Sequence, residues 1–195
     1  MELLDLIKQR RSIRKYTNQP VEKEKLQKIA EAGIYAPTPG AGEKTKIVIL
    51  TDKELIEEIG IINANCENRN WGGRNVSAEQ PSIIDDLSIK SGFYGCSALA
   101  IICIDKERRH MVNGVGGAFV VAENMVLEAY DLGVSSCIVG RAEATFEQDF
   151  PKSLLSKWGM EDNDLPILFV CLGYIDGDYP KVKQRKCERI IFVEE

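Results

Sequence analysis

A cluster of three arginines and one serine lies near the start of the chain, in the order Arg10-Arg11-Ser12-Ile13-Arg14. Arginine presents paired N–H donors in a fixed fork and serine adds a short hydroxyl contact, so these residue types together suit a phosphate group. In an extended segment, alternation places Arg10, Ser12 and Arg14 on one face and the other two residues on the opposite face. A solvated basic turn after a helix is the alternative interpretation, and the motif by itself leaves both open.

Other common chemistries find little support in the sequence. The single histidine, His110, lies between Arg109 and Met111 in a charged connection, which disfavours histidine-based zinc sites and triad hydrolysis. Neither G-x-x-x-x-G-K-[ST] nor a strand-linked G-x-G-x-x-G occurs, so the usual nucleotide-binding signatures are absent. Carboxylates are numerous but fall mainly on predicted helix faces, where solvation explains them.

Cysteine spacing argues against a metal or dithiol site. No C-x-x-C pair is present among the six cysteines, and three of them (Cys103, Cys137 and Cys171) occur within apolar runs. Free thiols are usually buried, so we interpret these three as small core residues. We therefore expect no metal and a reducing, cytoplasmic environment.

Composition indicates an ordinary folded protein with one domain, residues 1–195. The chain has 44% hydrophobic and 28% charged residues, and a net charge of -5 argues against a protein that mainly binds nucleic acid. Its apolar stretches are far shorter than the roughly 18 residues that span a bilayer, so we expect no membrane partner. Its first residues place acids before arginines, unlike a secretory signal, and we expect the mature chain to begin there.

Hydrophobic periodicity predicts the elements that must position the arginine cluster. We expect helices over 2–9, 20–34, 51–59, 82–91, 115–132 and 146–158, the last broken near Pro151. Strands are predicted over 46–50, 98–104, 136–139 and 166–172, with a possible edge strand at 189–193 and a long loop over 63–81. Because these elements mix without a strict βαβ rhythm, the sequence predicts a layered α+β fold.

The N-terminal half of the predicted helix over 115–132 is apolar on nearly every face, in the run Gly116-Gly-Ala-Phe-Val-Val-Ala122. A helix of this kind is buried either centrally or at a subunit interface. We therefore predict a homodimer.

Motifs along the whole chain resemble the nitroreductase-like family of FMN-dependent oxidoreductases, in the right order over roughly residues 3–191. The family's Arg-Arg-Ser-x-Arg opening matches residues 10–14. Further matches are Pro20-Val21, Ala36-Pro37-Thr38, Phe93-Tyr94-Gly95, Asn124-Met125-Val126-Leu127-Glu128-Ala129, Leu132-Gly133-Val134-Ser135-Ser136-Cys137, Gly173-Tyr174 and Lys183-Gln184-Arg185-Lys186. Each motif is weakly specific, whereas their colinearity is specific.

The resemblance implies an FMN cofactor. Its phosphate would meet Arg10, Ser12 and Arg14 together with Lys183 or Arg185, and its isoalloxazine ring would receive backbone contacts from Ile138, Val139 and Gly140. The resemblance adds Arg11 and the turn Pro37-Thr38-Pro39 to the predicted cofactor-binding residues.

It also implies a central, mostly antiparallel sheet flanked by helices, in an intertwined homodimer. NAD(P)H would be the electron donor, and a nitroaromatic, quinone or similar small molecule would be the acceptor. Such hydride transfer needs no dedicated acid or base, which agrees with a sequence that offers no catalytic candidate.

One segment departs from the family pattern. Where the family usually has Asn, Gln and Trp after the Ala-Pro-Ser turn, this chain has Ala41, Glu43 and Thr45. Two alternatives therefore stay open: a flavin-binding module with little reductase activity, or a non-enzymatic adaptor that uses its basic clusters. Trp71 is equally consistent with stacking over the flavin and with anchoring its own loop.

Overall fold

The computed structural model describes residues 2–38, 45–66, 79–84, 86–106, 111–182 and 184–193. The helices are α1 (Leu3–Gln9), α2 (Lys23–Ile34), α3 (Lys53–Asn65), α4 (Met111–Asp131), α5 (Ala142–Phe146) and α6 (Asp149–Lys157). The strands are β1 (Lys46–Leu50), β2 (Ala98–Asp105), β3 (Ser135–Val139) and β4 (Asp164–Gly173). Predictions for Pro39, Ala41, Glu43, Trp71, His110 and Lys183 fall outside the described residues.

The strands form one sheet in the order β1-β2-β4-β3, and each neighbouring pair is antiparallel. All four strands were predicted, and the α+β class with an antiparallel sheet is confirmed. The two central strands are apolar except for Asp105 at the end of β2 and Asp164 at the start of β4, because helices cover both faces of the sheet. Helices α2 and α4 pack on one face around Met125, and α3, α5 and α6 pack on the other around Phe169.

Helix α3 begins where the sequence predicts a helix, after Thr51-Asp52, whose residue types suit a helix cap. The Asp52 carboxylate accepts hydrogen bonds from the Glu54 and Leu55 backbone N–H groups, each at 3.1 Å, which satisfies donors that a helix start leaves open. The helix continues to Asn65, so the prediction of a loop from residue 63 is wrong for its first three residues. Asn63 is fully buried and finds its partners inside the protein, which removes the usual reason for asparagine to end a helix.

Two other predicted helices differ in the structure. The segment 146–158 was expected as one helix broken near Pro151, but α6 begins at Asp149 and Pro151 lies in its first turn, where no N–H is needed. The segment 82–91 forms turns in its described part. Ser82 Oγ accepts from the Ile84 N–H and Asp86 Oδ1 from the Ser88 N–H, and such local bonds compete with a helix.

The end of the chain does not form the predicted edge strand within its described residues. A short 3₁₀ turn occupies Cys187–Arg189, and Ile190, Ile191, Phe192 and Val193 follow it without strand pairing and are largely exposed. Their apolar side chains therefore have little cover from the part of the chain that the structure describes.

Helix α4 is buried on one side only. Ala118, Val121 and Ala122 lie in the core, whereas the Phe119 side chain is 51% exposed and Val120 is 39% exposed. Among the described helices none is long and apolar enough to cross a membrane. Cys103, Cys137 and Cys171 are buried free thiols, as predicted.

Candidate anion and flavin site

The Arg10–Arg14 segment runs alongside the edge strand β3. Ser12 forms a parallel bridge with Ser136, and the Ile13 N–H donates to the Ser136 carbonyl at 2.9 Å. Ile13 is completely buried, so it anchors the segment in the core. These contacts hold the arginines in extended backbone beside the strand that ends at Val139.

Arg10, Ser12 and Arg14 approach the same point, the buried thiol of Cys137. Burial raises the pKa of this thiol, while the positive charges of Arg14 and Arg10 and a hydrogen bond with Ser12 act in the opposite direction. All three side chains therefore act on the same thiol, which places them on the β3 side of the segment. Arg11 instead contacts the C-terminal segment.

The Arg10 guanidinium has an unfilled hydrogen-bonding position. Its Nε is buried and has no hydrogen-bond acceptor among the described residues, and the Glu123 Oε1 atom lies 4.0 Å away. A buried cationic donor without an acceptor is costly, and an anionic ligand would satisfy it. The Arg10 Nε–H donor therefore fits a phosphate ligand.

Arg14 is held from two sides. Its backbone N–H donates to Gln80 Oε1, and its side chain hydrogen-bonds with Tyr94. Burial, the main cause, and the nearby Cys137 raise the pKa of Tyr94 to about 12, although the Arg14 charge lowers it. The Tyr94 hydroxyl therefore stays protonated at neutral pH beside a permanent positive charge.

The C-terminal segment reaches the arginine motif through Tyr179 and Lys181. The Arg11 N–H donates to the Tyr179 hydroxyl at 2.8 Å, and Arg11 Nε donates to the Lys181 carbonyl at 3.3 Å. Arg185 lies a few residues further along, with an exposed side chain. The structure thus brings the two basic regions of the sequence together.

β3 ends at Val139, and the two-residue connection Gly140-Arg141, called here the turn after β3, leads directly into α5. Val139 is buried, Ile138 is half-buried and Gly140 is exposed. Arg141 has a left-handed backbone with φ 66, which L-residues other than Asn and Asp seldom adopt. Strained backbone of this kind occurs often at functional sites.

Pro37 and Thr38 lie on the other side of the molecule. Thr38 lines a groove of ≈ 500 Å³ with Tyr35, Ile47 and Val121, next to β1. Strands β1 and β3 are the two edges of the sheet, and the three spacings between them, about 4.8 Å each, amount to roughly 14 Å. Thr38 thus lies beside β1, whereas the arginine segment lies beside β3.

Sequence reasoning missed Asn63, Gln80 and Tyr179, which contact the predicted site residues. They lie 77, 66 and 168 residues from the partners to which they bond, namely Gly140, Arg14 and Arg11. No local spacing or motif links such positions. Colinearity with the family pattern was the only signal available, and these three residues belong to none of its motifs.

The arrangement can hold an anion but offers no evident acid–base pair. The described residues contain no group of three or more side chains suited to a metal ion. Arg10, Ser12 and Arg14 all interact with Cys137 of β3, and donors of these types suit an anion such as a phosphate.

Comparisons with known proteins show which sequences and folds this chain resembles. The chain is 24% identical over 204 residues to an NADPH-flavin oxidoreductase from Vibrio harveyi, covering 98% of this chain and 72% of that protein. A nitroreductase with bound FMN from Bacteroides fragilis superposes with a TM-score of 0.79 at 25% identity, covering 100% of both chains. A nitroreductase with bound FMN from Desulfitobacterium hafniense gives a TM-score of 0.81 at 22% identity, covering 100% of this chain and 99% of that one.

The sequence model described as the nitroreductase family matches residues 7–174, which include the arginine motif, the sheet and the turn after β3. The family resemblance seen in the sequence is therefore confirmed over most of the chain. This protein belongs to the nitroreductase family of flavin oxidoreductases.

Proposed function

We propose that this chain binds FMN and transfers a hydride from NADH or NADPH, through the flavin, to a nitroaromatic, quinone or similar small acceptor. The observation that carries the proposal is the buried Arg10 Nε, which has no acceptor among the described residues and whose side chain acts on Cys137 together with Ser12 and Arg14. A phosphate carries nearly two negative charges and would satisfy this group of donors. The similar structures that contain FMN support the same ligand.

The residues that would hold FMN divide into two groups. Arg10, Ser12 and Arg14 would bind the phosphate, with Lys183 or Arg185 from the C-terminal segment. The backbone of Ile138, Val139 and Gly140 would contact the ring and orient it. When bound, the flavin supplies two-electron chemistry between donor and acceptor. The protein supplies binding, orientation and positive charge, which favours a ring that becomes more negative on reduction.

Two measurements separate the alternatives. Purified protein is mixed with FMN, and binding is followed by quenching of flavin fluorescence. No binding would contradict both flavin-based functions and favour the adaptor. The complex of the protein with FMN is then mixed rapidly with NADH or NADPH. Loss of the yellow absorbance supports the reductase, whereas a flavin that stays oxidised supports the module suggested by the departure at Ala41, Glu43 and Thr45.

We further propose a homodimer with FMN between the subunits. Thr38 lies beside the edge strand β1 and the arginine motif beside the opposite edge strand β3, and in the proposed dimer a second chain would supply one of these groups to the FMN. The exposed Phe119 and Val120 of α4 are apolar residues that a partner would cover. An obligate interface would bury more than about 2,000 Å² in total. A stable monomer with tightly bound FMN, found by light scattering, would contradict the proposed homodimer.

A further inference from the structure

Asn63 lies at the centre of a buried polar network behind the turn that follows β3. Its side chain is fully buried in the last turn of α3. Its Nδ2 donates to the Gly140 carbonyl at 3.1 Å and to Thr145 Oγ1 at 3.0 Å, and its Oδ1 accepts from Arg141 Nη2 at 3.2 Å. The Asn63 side-chain amide thus contacts Gly140, Arg141 and Thr145.

The turn itself depends on these contacts. Arg141 has a left-handed φ of 66, and its carbonyl accepts from Thr145 Oγ1 at 2.6 Å. An arginine has no intrinsic preference for this conformation, so surrounding contacts must maintain it. Thr145 and Asn63 together hold the carbonyls of two consecutive residues, Gly140 and Arg141.

The amide has little freedom to move. Gly92 packs directly against it, and a Cβ atom at position 92 would lie 2.2 Å from Asn63 Oδ1. The Gly92 N–H also donates to the Gly60 carbonyl of α3 at 2.8 Å, which fixes that segment to the helix. Asn63 is therefore confined between Gly92 and the turn.

Fixing the Gly140 carbonyl also fixes the backbone on the other side of the turn. In a trans peptide the C=O and the following N–H point in opposite directions. With the Gly140 carbonyl directed at Asn63, the Arg141 N–H points away from the protein interior. Gly140 is exposed there, on the side where the proposed function places the ring.

We propose that Asn63 is a positioning residue for the flavin ring, through its hydrogen bonds to Gly140 and Arg141. This inference rests on the proposed function, because it assumes that the turn contacts the ring. Asn63 does not itself contact the cofactor. Because it acts on the ring side, its loss should weaken FMN and riboflavin equally, whereas loss of a phosphate contact weakens FMN alone.

The test compares variants that alter the network with a matched control. Asn63→Asp keeps the shape but removes both donated hydrogen bonds, and Thr145→Val removes the hydroxyl from the network. Asn124→Leu is the control, because Asn124 Nδ2 also donates to a backbone carbonyl, that of Ala32, at 3.1 Å. For each folded protein we would measure the melting temperature, the dissociation constants of FMN and riboflavin, and the midpoint potential of the bound flavin.

We expect Asn63→Asp to raise both dissociation constants about tenfold and to shift the midpoint potential, with a smaller effect of the same kind from Thr145→Val. Asn124→Leu should lower the melting temperature but leave both constants within twofold of the parent. Unchanged constants and potential in both network variants would overturn the inference while the proposed function stands. A parent protein that binds neither flavin would overturn the proposed function, and this inference with it.

Discussion

Replacing Arg10 with methionine tests the phosphate site at its most specific point. Methionine keeps much of the aliphatic stem and removes the charge and all N–H donors. The Arg10 side chain is 23% exposed, and its buried Nε has no acceptor in the described part of the chain. The variant should therefore bind FMN more weakly and yet be no less stable without ligand.

The size of the affinity change follows from the kind of contact that is lost. Hydrogen bonds to charged groups contribute roughly 1.5–3 kcal/mol, and each 1.4 kcal/mol is about tenfold in affinity. Arg10→Met should thus weaken FMN about ten- to a hundredfold. Removing a poorly satisfied buried donor should leave the melting temperature of the ligand-free protein unchanged or raise it by up to a few degrees, since ~1 kcal/mol corresponds to about 2–4 °C at this chain length.

The assay is a fluorescence titration of FMN and riboflavin against parent and variant. Riboflavin has no phosphate, so its affinity should change less than twofold. Arg11→Met is the matched comparison, because that side chain donates to the Lys181 carbonyl and does not join the group around Cys137. It should weaken FMN less than Arg10→Met does. Unchanged FMN affinity in Arg10→Met, or an equal loss for riboflavin, would refute the phosphate assignment.

Four further changes have expected outcomes. Arg14→Ala should also weaken FMN about tenfold or more and leave riboflavin unaffected, whereas Arg14→Lys should recover only part, because a point charge cannot reproduce the guanidinium fork; the same titration decides. Phe119→Glu places a charge on the exposed face of α4 and should convert a dimer to monomers in light scattering. Asp52→Ala removes both cap hydrogen bonds of α3 and should lower the unfolding free energy by about 1 kcal/mol in urea titrations. The pKa of Tyr94 is raised from 10.0 to about 12, so the stability that its neutral form contributes is complete below pH 10 and is lost as pH rises towards 12. Tyr94→Phe should therefore reduce the loss of stability between pH 10 and pH 12. An equal loss in the parent and the variant would contradict this prediction.

Local pattern was enough to predict most elements of the fold. The apolar runs of β2 and β4 are long and β-branched, and the Asp52 cap and the periodicity of α4 are equally local signals. Each of these signals depends on neighbouring residues alone, so the sequence is sufficient to predict these elements. Two of the errors lie where local bonds compete with a helix, as at Asp86, or where a proline is acceptable in a first turn, as at Pro151, and the others are the loop predicted from residue 63 and the edge strand predicted at 189–193.

The candidate site could be predicted in part. The side-chain types of Arg10, Ser12 and Arg14 and their alternation indicated a common face, and the structure places all three near Cys137. The motif did not reveal that Arg11 leaves this group to contact the C-terminal segment. That contact joins residues 168 and 170 positions apart, beyond the reach of any local pattern.

Only the tertiary structure decided which residues support the candidate site and where the turn at Thr38 lies relative to the arginines. Asn63 has an ordinary sequence context, and its importance comes from burial against Gly92 and from partners that α5 and the turn after β3 bring to it. The separation of Thr38 from the arginines follows from the strand order, which places β1 and β3 at opposite edges. Residue types and spacing thus determined the chemistry available to the protein, whereas strand order and burial decided which distant groups meet, because those contacts depend on how the whole chain packs.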